Sequence, residues 1–171
     1  MNPMQQLRIE KVTLNIGAGK DQNKLEKGIV LIKAITGIDP VKTVTNKRIP
    51  GWGIRPGLPI GCKLTLRKAK AMEILKRLLE AKDKKLKDTQ FDEQGNLSFG
   101  IHEYIDIPGV AYDPKIGIMG LQVCVSFERP GYRIKRRRLE PKKIPKKHQV
   151  QKEEAIKFMQ SNFGVNVGDV A

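Results

Sequence analysis

Aromatic side chains are scarce in this chain: five Phe, three Tyr and one Trp among 171 residues. That shortage argues against a single-strand reader, which stacks bases on rows of sheet-surface rings. Cysteine is scarcer. Cys62 and Cys124 stand far apart with no CxxC, so both are expected as buried small residues of a reducing compartment, not as a disulfide. Of the two histidines, His102 is expected on a strand and His148 in a flexible tail, which suggests neither a metal cluster nor a His-based triad. No apolar run approaches the roughly 18 residues of a membrane span. The opening MNPMQQLRIEK lacks the apolar core of a signal peptide, so the expected location is cytosolic with no membrane partner.

Positive charge is abundant. There are 33 Lys and Arg against 18 Asp and Glu, for a net +15. That much like charge repels itself, and a polyanion is the expected partner. The charge is also segregated. Residues 40–90 carry 14 basic and 4 acidic side chains, and residues 128–152 carry 11 and 2. Between them, residues 91–127 hold Asp92, Glu93, Glu103, Asp106 and Asp113 against Lys115 alone. One isolated Lys run is usually a solvated face. Two blocks around an acidic island favour a binding surface, with the island turned toward something other than phosphate.

The length suits a single domain over residues 1–171. Residues 8–16 alternate as a strand, with Val12, Leu14 and Ile16 on one face and Lys11, Thr13 and Asn15 on the other. A helix is expected over about 22–36, stopped by Gly37. Strands follow at 41–45 and 61–67, the latter with Cys62, Leu64 and Leu66 inward and Lys63, Thr65 and Arg67 outward. A helix over 68–81 places Met72, Leu75 and Leu79 at helical spacing. Strands are expected at 99–107, with Ile105 and Ile107 on one side, and at 121–127, where Gln122 and Ser126 point outward. The Pro-punctuated basic segment 128–150 is expected to pack no core over 129–149 and to order only against folded RNA. A last helix, 151–163, carries Ile156, Met159 and Phe163 on one face.

The pattern predicts an α+β fold: a mostly antiparallel sheet, helices on one face, the other face open. The open face would present Lys11, Thr13, Asn15, Lys63, Thr65, Arg67, Gln122 and Ser126, none of them aromatic. Hydroxyls, amides and cations of this kind reach 2′-OH and phosphate oxygens, which points to structured RNA, with non-specific DNA binding as the alternative.

NIGAGKD, between a strand and a helix, invites a phosphate-loop reading. The P-loop pattern requires Gly where Leu14 stands and Ser or Thr where Asp21 stands. The dinucleotide fingerprint requires Gly at Gln22. Carboxylates are too sparse in the basic blocks for a Mg²⁺ site. No enzyme and no cofactor are expected.

The stretch TNKRIPGWGIRPGLPIGCK (45–63) holds the single tryptophan between two glycines, in a loop (46–60) stiffened by Pro50, Pro56 and Pro59. Loops this long without structure of their own are usually functional or disordered. Either Trp52 folds back as a hydrophobic anchor, or the loop projects, with Lys47, Arg48 and Arg55 on phosphates and Trp52 against an RNA surface.

VTLNIGAG, RIPGWGIRPGLPIGCKLTLR, FDEQGNLSFGIHEYIDIPGVAYD and LQVCVSFERPGYRIKRRR together resemble the L-five family of large-subunit ribosomal proteins in its archaeal form, over nearly the whole chain. The resemblance implies a ribosomal constituent that binds 5S rRNA through the open sheet face and helps seat the central protuberance. Its RNA-contacting Asn and Thr correspond to Asn15 and Thr65. Lys11, Thr13, Lys63 and Arg67 on the face, and Arg133, Arg136, Arg137 and Arg138 in the tail, complete the expected rRNA-binding set. A Gln found in many bacterial members falls on Ile38 here, and that contact is not carried over. The 46–60 loop, through Lys47, Arg48, Trp52 and Arg55, resembles the arm that approaches P-site tRNA. Ile107, Tyr112, Asp113 and Lys115 lie in the part resembling an intersubunit bridge to a small-subunit head protein, and an acidic island suits a basic partner. Large-subunit rRNA and a neighbouring 5S-binding ribosomal protein are the remaining implied partners.

Overall fold

The computed structural model describes residues 2–168. In chain order the strands and helices are β1 (Arg8–Gly17), α1 (Gln22–Thr36), β2 (Val41–Val44), β3 (Pro59–Leu66), α2 (Lys68–Glu80), β4 (Lys85–Leu86), β5 (Leu97–Ile101), β6 (Leu121–Glu128), α3 (Lys152–Phe163) and β7 (Asn166–Val167). Five strands form an antiparallel sheet in the order β2-β3-β1-β6-β5, and β4 pairs with β7 in parallel. The class is α+β, as the alternation of residue types predicts. The described residues divide into two compact units: one of 2–12, 67–99 and 124–168, the other of 13–66 and 100–123.

In the second unit, α1 starts where Asp21 accepts hydrogen bonds from the backbone N–H groups of Asn23 and Lys24. It stops at Gly37, whose φ of 70° suits a residue without a Cβ. Leu25, Leu31, Ile32 and Ile35 form its buried face. Each such side chain contributes on the order of 1.5–3 kcal/mol through burial. Gly28 lets the helix approach the sheet closely. A Cβ there would sit 3.2 Å from Ile16 Cγ2 and 3.3 Å from Cys62 Sγ.

Residues 102–107 depart from the strand expected over 99–107. β5 ends at Ile101, and residues Tyr104–Asp106 form a 3₁₀ turn. The cause is Tyr104. Its ring is buried, its hydroxyl accepts from Asp113 N at 2.9 Å, and its own N–H donates to Met119 O at 3.2 Å. The chain therefore wraps around the ring instead of extending. Ile105 and Ile107 consequently do not share a side: Ile105 is 40% exposed and Ile107 is 1% exposed. His102, exposed, lies beyond the strand.

In the first unit, α2 buries Ala71, Ile74, Leu75, Leu78 and Leu79. Met72, expected on that face, is exposed because the buried stripe runs through Ala71, Ile74–Leu75 and Leu78–Leu79, which leaves Met72 just beyond its edge. α3 buries Ala155, Met159 and Phe163, with Ile156 half-buried at the margin. Its first turn is closed by Gln151 N–H donating to Glu154.

The basic segment corrects a second expectation. Residues 129–149 do contribute to a core: Tyr132 and Ile144 are buried beside Val150. The Tyr132 hydroxyl accepts from Val150 N at 3.0 Å and donates to His148 O at 3.1 Å. His148 is half-buried, its Nε2 donating to Pro130 O at 2.9 Å. Arg129 is buried and donates through Nη2 to the Glu154 carboxylate, while its Nε has no hydrogen-bond partner among the described residues.

Candidate nucleic-acid interface

In the second unit the sheet face opposite the core carries what alternation assigned to it. Between buried Leu14 and Ile16, Asn15 points outward and donates through Nδ2 to Gln122 Oε1 at 3.3 Å. Thr13 is half-buried, and Lys63 and Thr65 are exposed between Cys62, Leu64 and Leu66. β1, β3 and β6 thus hold one hydroxyl-and-amide surface with a cation at its side. Cys124 lies on the same outward parity of β6 and is exposed, unlike Cys62 and contrary to the expectation that both are buried. Burial in an apolar layer pushes the Cys62 thiol above its usual pKa.

The long loop between β2 and β3 is a folded arm. Thr45 N–H donates to Leu58 O, and Gly57 N–H to Thr45 O, closing its base. Nearer the tip, Ile49 and Ile54 exchange backbone hydrogen bonds at 3.0 and 3.1 Å. A 3₁₀ turn at Pro50–Trp52 and Gly53 in the left-handed region (φ 65°) join them. Trp52 is 69% exposed; the anchor is Ile54, 7% exposed. The choice left open by the sequence is resolved: the ring projects. Lys47, Arg48 and Arg55 are exposed around it. Lys20, from the turn after β1, adds a cation. Its Cδ lies 3.6 Å from where a Cβ on Gly53 would sit, a proximity that the 32 intervening positions conceal in the sequence.

In the first unit the expected cations divide into two kinds. Arg136 donates through Nη1 to Glu10 at 2.7 Å and through Nη2 to Glu128. Arg8 reaches Glu128 at 2.7 Å and Arg67 reaches Glu10 at 3.4 Å. Both carboxylates are more than nine-tenths buried. Arg67 and Arg136 therefore serve a structural network that sequence reasoning missed. Arg137 donates to Glu140 O. Arg133 and Arg138 are exposed and enter none of the ion pairs among the described residues. Lys11 and Ser126 are half-buried on the sheet.

Of the bridge residues, Ile107 is buried, so its side chain belongs to the core and cannot present a surface. Tyr112 is 54% exposed and Lys115 is exposed; Asp113 is half-buried, its carboxylate accepting from Lys115 N. Ile118, 72% exposed, is the large apolar side chain of this loop that the sequence reading did not single out. Among the described residues no group of His, Cys, Asp and Glu is arranged to hold a metal ion.

These features define a class: a strongly basic α+β protein with a polar outward sheet face, and with exposed cations that include those on an arm in one unit and on a folded tail in the other. The family described as "Ribosomal protein L5" matches residues 2–55, and the C-terminal part of the same ribosomal family matches residues 59–158. The chain is 51% identical over 166 residues to the large ribosomal subunit protein uL5 of Methanobrevibacter smithii, covering 97% of this chain and 98% of that one. It is 52% identical over 167 residues to uL5 of Nanoarchaeum equitans, with the same coverage, and 48% identical over 168 residues to uL5 of Sulfurisphaera tokodaii, covering 98% of this chain and 95% of that one. The chain belongs to the uL5 family of large-subunit ribosomal proteins. It is a structural constituent of the large ribosomal subunit.

Proposed function

We propose that within the large subunit this chain docks on 5S rRNA at the central protuberance through the bare sheet face, with Asn15 and Thr65 at the contact and Lys11, Thr13 and Lys63 around them. The observation that carries this reading is the Asn15–Gln122 surface, polar, unroofed and without a ring. Such a surface suits 2′-hydroxyls and phosphates across a shallow groove. The folded tail supplies Arg133, Arg137 and Arg138 to 5S rRNA or the adjoining large-subunit rRNA. The arm carries Lys47, Arg48, Arg55 and exposed Trp52 to P-site tRNA. Tyr112 and Lys115 face a protein of the small-subunit head, and a neighbouring 5S-binding protein shares the RNA.

The deciding experiment is competition between 5S rRNA and other folded RNAs of equal length at fixed ionic strength. Preference for 5S rRNA is the expected result. The double variant Asn15→Ala, Thr65→Ala is expected to weaken it by about 1–3 kcal/mol, roughly five- to 150-fold, from two lost hydrogen bonds. Undiminished affinity in that variant would move the contact off this face. Binding to random duplex DNA with equal affinity would replace the proposal with general packaging.

A further inference from the structure

We propose that a cleft of about 360 Å³ in the first unit, between the sheet and the folded basic segment, seats one unpaired nucleotide of the bound RNA, base inward and phosphate on lysines. This inference rests on the reading of the chain as an RNA-docking protein. The volume lies in the range of small-ligand sites, roughly 300–1,000 Å³, and admits neither a duplex nor a helix.

The lining matches a nucleotide in its parts. Phe127, Tyr132, Ile144 and Val150 line it and are each less than a tenth exposed, which gives an apolar floor for a base. Lys11 comes from β1, and Lys135 and Lys143 from the basic segment. The carboxylate in the lining, Glu10, is already taken by Arg67 and Arg136, so it does not repel an incoming phosphate. Lys135 is held with its Nζ 5.2 Å from the Tyr132 ring centroid.

The remaining lining is rich in side-chain amides, which carry both donors and an acceptor and so match the edge of a base. Gln149 donates one N–H to Ile144 O and keeps its oxygen free; Gln94 makes no side-chain hydrogen bond among the described residues. Unpaired bases of folded RNA are read in this way, swung out and bonded along an edge. Lys11 and Ser126, two outward-facing strand residues that the sequence assigns to RNA contact, are themselves part of the cleft lining.

The test uses the full chain and two measurements. In the first, the four nucleoside monophosphates, inorganic phosphate and an oligo-glutamate peptide are titrated separately while the Gln94 and Gln149 side-chain amides and the Ile144 methyls are followed by NMR. At least one nucleotide is expected to shift all three, at least tenfold more tightly than phosphate, and to bind at least threefold more weakly to Lys143→Ala. Equal shifts from phosphate, no shift from any nucleotide, or tighter binding of the peptide would each overturn the assignment. In the second, Gln94→Trp, a substitution at an exposed turn position that blocks the mouth, is compared with the parent for 5S rRNA. A loss of at least fivefold is expected. Equal binding by a parent that still prefers 5S rRNA removes the cleft and leaves the docking reading standing. A parent without that preference removes the docking reading, while the nucleotide titration still decides the cleft.

Discussion

Arg136 Nη1 donates to Glu10 Oε1 across 2.7 Å, joining side chains 126 residues apart. Through its other Nη the same guanidinium holds Glu128, so one cation from the basic segment ties down two strands. Arg136→Ala is expected to lower stability by about 1.5–3 kcal/mol, the usual range for charged hydrogen bonds to groups left buried. Arg136→Lys should recover only part of this, since one ammonium nitrogen would have to reach both carboxylates that the guanidinium meets with separate nitrogens. Urea unfolding checks both, and a midpoint unchanged in the Ala variant would mean the network contributes nothing.

Tyr132→Phe removes the acceptor of Val150 N–H and the donor to His148 O. The expected cost is about 1–3 kcal/mol, with faster amide exchange at Val150. Burial holds the Tyr132 hydroxyl above its usual pKa of 10.0, outweighing the Val150 hydrogen bond and nearby Arg129 that pull it down. The neutral form is thus favoured in the folded chain, and the folded state binds more protons than the unfolded one. Its contribution is complete below pH 10 and is lost as pH rises toward the folded value. The difference in stability between parent and Tyr132→Phe should therefore shrink above pH 10. Ultraviolet titration should show a late-ionising phenol that disappears in Tyr132→Phe.

The thiols should react in two phases. Cys124 is exposed and Cys62 is fully buried with its pKa raised by burial. An aromatic disulfide reagent is expected to modify one thiol quickly and the second only on unfolding. Cys124→Ser should abolish the fast phase; its survival would show that Cys62 is accessible.

Trp52 and Ile54, two residues apart on the arm, should behave oppositely. Trp52→Ala is expected to change stability by less than about 0.5 kcal/mol, as an exposed site does. Ile54→Ala should cost about 2 kcal/mol or more. The parent's tryptophan emission should be readily quenched by iodide. If the proposed tRNA contact is right, tRNA shields the ring from that quenching, and Lys47→Ala with Arg48→Ala removes the protection.

Much of the fold was legible because its longer elements are governed locally. The end of α1 follows from Gly37 after a run of Leu and Ile, and β3 and β6 show the alternation of a sheet with one wet face, whereas the Asp21 cap that starts α1 is seen only in the structure. β4 and β7 were not legible: each has two residues, and only their pairing with each other makes them strands. The turn at Tyr104 was misread for a related reason, since the partners of its hydroxyl and backbone lie 9 and 15 positions away. Of the candidate site, the outward parity of Asn15, Lys63 and Thr65 came from alternation alone. The division of the arginines did not. Nothing near Arg136 in the chain announces Glu10, and Tyr132 and Ile144 sit in a stretch whose charge hides their burial.

The β4–β7 pairing has a consequence for how the molecule is made. Lys85 and Leu86 gain their strand partners only when Asn166 and Val167 have been synthesised, whereas every segment of the second unit is complete by residue 123. A nascent chain emerging from the exit tunnel can therefore close the half that bears Asn15 and the arm while the other half waits for its last helix. Released fragments ending near residue 150 should resist limited proteolysis over 13–66 and be cut readily over 67–99.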